Sequence, residues 1–142
     1  MTTDNSTHVV FHLDPHPGLL GVLRSAVHFQ ALQSGLGSET CAEFAQASED
    51  VCREAISQLN EDTGGLDVTL DTFHDRIEIS IHHHGQLAPA VGLECFAFSE
   101  MPNGATGRLN GLELLSRVDR VLFNAEDGVA RTTLVKYLHR KP

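Results

Sequence analysis

The sequence predicts an α+β fold: a two-layer sandwich with a mixed, mostly antiparallel sheet and three helices on one face. Three observations carry this. Two short segments around residues 66–70 and 77–81 alternate apolar and polar side chains across a polar turn, the pattern of a β-hairpin with one buried face. A second pair of strand-like segments flanks Asp127-Gly128, a dipeptide suited to a tight hairpin turn. Two segments of helical period stand side by side before the first hairpin, so strands and helices do not alternate as a parallel doubly wound sheet requires.

Each element has its own local reason. Residues 1–7 are polar and read as a loose tail. Residues 8–13 (HVVFHL) are rich in β-branched and aromatic side chains and form a strand. Pro15 and Pro17 end it, and Pro17 suits a first helical turn, where its missing N–H is not needed. The first helix runs to about Ser34, with Leu19, Leu20, Leu23, Val27 and Ala31 at helical spacing. Val22, Ala26 and Phe29 widen that stripe. Gly35 followed by Leu36 has the form of a helix C-terminal glycine with its hydrophobic partner.

A second helix begins near Ser38 to Thr40, where Thr40 and Glu43 have capping-box spacing. Phe44, Ala47, Val51, Ala55, Ile56 and Leu59 make its apolar face. Glu39, Glu43, Gln46, Asp50, Arg53, Glu54, Ser57 and Gln58 make the polar one. The glycine-rich segment 60–65 closes it. The first hairpin follows, with His74, Asp75 and Arg76 in its turn, and its second strand runs into His82, His83 and His84. Residues 85–108 form a long connection of the kind that is usually functional, with an apolar patch at Leu93, Cys95, Phe96 and Phe98. A third helix is expected over 109–118, then a last hairpin from Val121 to Leu138. Residues 139–142 form a basic tail, so one domain occupies 8–138.

Composition narrows the function. The 142 residues include 19 acidic and 10 basic side chains, a net charge of −9, with nine histidines besides. Such a chain lacks the basic face that phosphate backbones require, so no direct nucleic-acid contact is expected. Cys41, Cys52 and Cys95 are odd in number and contain no CxxC pair, which argues against a disulfide framework or a thiolate zinc site. No apolar run approaches the ~20 residues of a membrane helix, and the N-terminus has no signal-peptide core. A soluble, cytoplasmic protein is expected.

Taken in order, several short motifs resemble those of the anti-sigma-factor serine kinases, small members of the histidine-kinase-like (GHKL) ATPase superfamily. They are GVLRSAV with Arg24 in the first helix, ASEDVCREAI in the second, Ile79-x-Ile81-x-His83-x-Gly85 at the end of the hairpin, and Gly107-Arg108-Leu109-Asn110-Gly111-Leu112 ahead of Val118-Asp119. The likeness runs from about His8 to Leu138. It implies a catalytic acid at Asp50 and a Mg²⁺-holding position at Glu54. Residues four apart share a helix face, so both would address one phosphate–metal centre. It further implies nucleotide contacts at His83, Gly85, Gly107 and Gly111, a partner contact at Arg24, and a homodimer.

The sequence departs from that family at the nucleotide. His83 stands where an aspartate would accept the adenine amino group. Leu87 and Leu109 replace expected glycines, and Glu54 replaces an asparagine. The resemblance therefore implies a regulatory protein that binds a sigma factor or an anti-anti-sigma partner, with ATP and Mg²⁺ binding weakened or lost. The alternative is an active ATP-dependent serine/threonine kinase acting on an anti-sigma antagonist, with Asp50 as base.

A third reading rests on the histidines. On a strand, His82 and His84 share one side and His83 takes the other. Two imidazoles would therefore need a third ligand, His74 or Glu78, to hold Zn²⁺ or Ni²⁺. Ser48 and Ser57 show no arrangement for nucleophilic catalysis.

Overall fold

The computed structural model describes residues 6–14, 16–57, 65–84, 111–126 and 128–138. Its elements are strand β1 (Thr7–Leu13), a 3₁₀ turn (Pro17–Leu19), helices α1 (Leu20–Gln33) and α2 (Ser38–Ser57), strands β2 (Leu66–Thr72) and β3 (Arg76–His84), helix α3 (Gly111–Arg117), and strands β4 (Arg120–Glu126) and β5 (Val129–Tyr137). The five strands form one sheet in the order β1-β2-β3-β5-β4. All four pairings are antiparallel. The sheet expected to be mostly antiparallel is antiparallel throughout. The β4–β5 hairpin places β5, not β4, beside β3, so no strand neighbours one running its own way.

The inner face of the sheet follows from the two-residue period of a strand. Ile77, Ile79 and Ile81 of the central strand are fully buried. Leu70 lies opposite Ile79 and Val68 opposite Ile81, while Leu134 of β5 flanks Ile79 from the other side. Burying each such side chain is worth about 1.5–3 kcal/mol. Phe11 and Leu13 of β1 and Phe123 of β4 continue the same face into the core cluster.

The helical layer covers that face. Leu20, Leu23, Val27 and Ala31 form the buried stripe of α1. Pro17 opens a 3₁₀ turn ahead of α1 rather than the helix itself. The end of α1 is as the sequence predicts: Gly35 adopts φ +97°. Its N–H donates to the Leu32 carbonyl at 3.0 Å, and that of Leu36 to Ala31 at 3.3 Å. This is the paired closure of a left-handed helix cap.

The next helix, α2, starts at Ser38, so Thr40 lies inside its first turn and not at its cap. It packs against α1, α3, β2 and β3. Being surrounded, it buries a wider stripe than an amphipathic surface helix would, including Cys41, Phe44, Ala47, Val51, Cys52 and Ala55. The smaller differences are at element ends: β1 starts at Thr7, Arg76 opens β3 instead of closing the turn, and α3 is described from Gly111. The expectations for the tails and for residues 85–108 lie outside the described residues.

The outer face of the sheet is polar at its β1 edge. His8 faces Asp71, and His12 faces Asp67, each as direct cross-strand partners. His12 Nδ1 donates to Asp67 Oδ1 at 2.6 Å. That hydrogen bond, and then the Asp67 charge, raise the His12 pKa above the ordinary 6.5, with Asp14 adding to the rise and desolvation opposing it. The folded state therefore favours the charged imidazole. This contribution is fully present below pH 6.5 and is lost as pH rises through the raised folded value. Protection of the β1 amides, measured by hydrogen exchange corrected for intrinsic rates, should fall as pH rises above 6.5. In His12→Asn it should lose that dependence; an unchanged profile in the variant would exclude His12 as its source.

Candidate functional site

The outward edge of α2 carries a row of polar groups set by helical spacing. Gln46 and Asp50 are four apart, as are Glu49 and Arg53, so each pair lies on one face. Gln46 Nε2 donates to Asp50 Oδ1 at 3.0 Å and to Glu49 Oε2 at 3.3 Å. Arg53 reaches both acids, at 2.9 Å to Glu49 and 3.3 Å to Asp50.

Two arginines from neighbouring helices complete the row. Arg24 of α1 lies 3.6 Å from Glu49 and donates to Gln46 Oε1 at 3.4 Å. Arg117, the last residue of α3, donates to Asp50 Oδ2 at 2.9 Å. A continuous chain of charge-assisted bonds thus runs from α1 across α2 to α3. Its acids lie beneath its cations: Glu49 is 8% exposed, whereas Arg24 and Arg53 are 50% and 48% exposed. An isolated surface pair is worth about 0–1 kcal/mol. The Glu49 and Asp50 carboxylates do more, because shared partners at low exposure fix three helices relative to one another.

The residues singled out from sequence fall as follows. Asp50 lies at the centre of this chain, with both oxygens engaged. Glu54 is buried on α2 and is not a solvated member of its polar face. The packing of α2 against α1, α3, β2 and β3 widens its buried side and accounts for that difference. His83 is 2% exposed and sits on the inner face of β3, opposite Ala130 of β5. Both its ring nitrogens are shielded from solvent. Arg24 is on the exposed side of α1. Gly111 opens α3; Gly85 and Gly107 lie outside the described residues.

His82 is partly exposed and His83 buried, so these two neighbours face opposite sides of β3 as a strand requires. Among the described residues no group of three His, Cys, Asp or Glu side chains is arranged to hold a metal ion. Ser48 is buried and donates to the Phe44 carbonyl at 2.9 Å, a bond internal to the helix.

Three members of the site were not found from sequence: Glu49, Arg53 as its partner, and Arg117. The first two had a signal in their spacing of four. Arg117 had none, being 67 residues from Asp50 and joined to it only by the fold.

Beside Arg24 the α1–α2 pair opens a groove of about 420 Å³, lined by Arg24, His28, Phe29, Leu32, Ala45 and Gln46 among others. Phe29 is 56% exposed, and Val22 and Leu32 are exposed on the same helix.

No protein-family model and no curated protein matches the sequence. Among solved structures, the chain is similar to the crystal structure of the RsbU and RsbW domains of Rv1364c from Mycobacterium tuberculosis, with a TM-score of 0.67 and 14% sequence identity. The match covers 95% of this chain and 33% of that one, so this chain spans about a third of its neighbour's length. At that identity the likeness shows the fold alone: an α+β sandwich with a five-stranded antiparallel sheet. No described helix is long and apolar enough to cross a membrane.

The two cysteines of α2 are inert by burial. Desolvation, reinforced by the charge of Glu49, pushes the Cys52 thiol far up, and desolvation also raises Cys41. Since the thiolate is the reactive form, native protein treated with iodoacetamide near pH 8 should remain unmodified at both by peptide mass spectrometry. Denatured protein should react at both. Modification of native Cys52 would contradict its placement.

Proposed function

We propose that the chain is an anti-sigma-factor-type regulator that binds a sigma factor or an anti-anti-sigma protein, with ATP binding weakened or lost. The observation that carries this reading is the exposed face of α1. Phe29 and Leu32 are each more than two-fifths exposed there, beside the half-exposed Arg24 and the groove toward α2. Large apolar side chains grouped with an arginine are the composition of a protein-binding hot spot. A homodimer is part of the proposal, taken from the family resemblance.

ATP and Mg²⁺ suit the site poorly. Asp50, the acid of the resemblance, already accepts from Gln46, Arg53 and Arg117. A carboxylate offers about four lone-pair sites, so little remains for a substrate hydroxyl or a metal. Where the family's adenine would meet a carboxylate, this chain presents a buried imidazole, which accepts with one nitrogen when neutral and with none when protonated. Failure to pair a buried amino group costs about 1–3 kcal/mol.

The test is titration of the purified full chain against purified sigma factors and anti-sigma antagonists of the organism that encodes it. One of them should bind, and Phe29→Asp or Arg24→Glu should weaken it at least ~10-fold, since hot-spot truncations cost about 2 kcal/mol or more. Binding that neither variant alters would place the surface elsewhere. Transfer of labelled phosphate from ATP to an antagonist, abolished in Asp50→Asn, would establish the kinase alternative instead.

A further inference from the structure

We propose that Arg117 is a built-in cation that neutralises Asp50 where the resemblance would place a metal centre shared with Glu54, clasping α3 to α2 and closing this part of α2 to Mg²⁺. The observation is a mismatch between the residues present and the group the fold family implies. Asp50 and Glu54, four residues apart on α2, are the two carboxylates that the resemblance aims at one metal centre. Yet the outer of the two, Asp50, is held through one oxygen by Arg117 at 2.9 Å and through the other by Arg53 at 3.3 Å.

A guanidinium keeps its charge at every working pH. Two of them bonded to one carboxylate supply the charge that a dication would bring. A Mg²⁺ ion entering there would also face their repulsion, and it tolerates little departure from octahedral oxygen coordination. Asp50 and Arg117 are each 23% exposed. That is shielded enough for the pair to escape much of the screening that weakens surface ion pairs.

The clasp has a mechanical consequence. Described as a helix, α3 spans only Gly111–Arg117, two turns. Isolated helices of that length do not persist in water. Its described apolar anchors are Leu114 and, just past its end, Val118, both buried. Arg117 adds a directional tie from the end of α3 to the middle of α2. That tie is made by a side chain and needs no ligand. This inference concerns the isolated chain and does not require the partner proposed above.

Mn²⁺ alone serves as the probe, read by paramagnetic broadening of backbone amide resonances in the full-length chain. The wild type should show no broadening centred on Asp50 at millimolar Mn²⁺. Arg117→Gln should gain a site there, at least tenfold tighter than the wild type, and Arg117→Gln combined with Asp50→Asn should lose it. Amide exchange over residues 111–117 should quicken at least fivefold in Arg117→Gln, while the β3 amides keep their rates as a check that the fold is intact. Arg117→Lys, which keeps one charge, should restore most of that protection and exclude Mn²⁺ again. Broadening at Asp50 in the wild type equal to that in Arg117→Gln would overturn the proposal. So would an Arg117→Gln protein that gains neither Mn²⁺ nor faster exchange. Failure to find a protein partner would leave these readouts unchanged.

Discussion

The seating of α2 on the sheet is the contact on which the rest depends. Phe44, Ala47, Val51 and Ala55 are buried along one side of this helix, in one core cluster with the inner-face isoleucines of β3. That packing fixes the rotation of α2, and rotation fixes what its other residues face. With the apolar stripe turned inward, Gln46, Glu49, Asp50 and Arg53 line its outer edge, where arginines of α1 and α3 reach them. A helix turned by one residue, ~100°, would break both the core and this row. The hydrophobic packing sets the geometry, and the ion pairs select among the ways α1 and α3 could lie against it.

The same contact explains what the sequence disclosed. The hairpin β2–β3, the stripe of α1 and the Gly35 cap were legible because each rests on residues near one another in the chain: alternation in one case, a period of 3.6 in the next, a glycine with positive φ in the last. The all-antiparallel sheet was not, because it depends on which strand of the final hairpin lies beside β3. Glu54 was misread for a similar reason. On a helix exposed along one side it would be solvated, but α2 has neighbours on four elements, and its position on the helical wheel alone does not reveal that.

The candidate site was half legible. Asp50 and Arg24 were singled out by their places in short motifs, and both prove to be members of one bonded chain. Glu49, which with Arg53 links the two, and Arg117, which ties Asp50 to α3, were not. Arg117 in particular has no local pattern to announce it, since its role comes entirely from a contact across the fold. The physical character of the site changed accordingly. From sequence, Asp50 was an acid awaiting a metal and a phosphate; in the structure it is already neutralised by the protein's own cations.

Two features then point the same way. The acid row of α2 is satisfied internally, and the apolar surface of α1 is not covered by any described element. Both fit the proposed reading of a partner-binding protein in which ATP binding is weakened or lost. The most direct measurement is a thermal unfolding scan of the full chain with and without Mg-ATP at millimolar concentration. A ligand present at 100 times its dissociation constant stabilises a protein by about 2.7 kcal/mol, which at this size raises Tm by roughly 5–10 °C. The account predicts no change in Tm, and a rise of that size would contradict it.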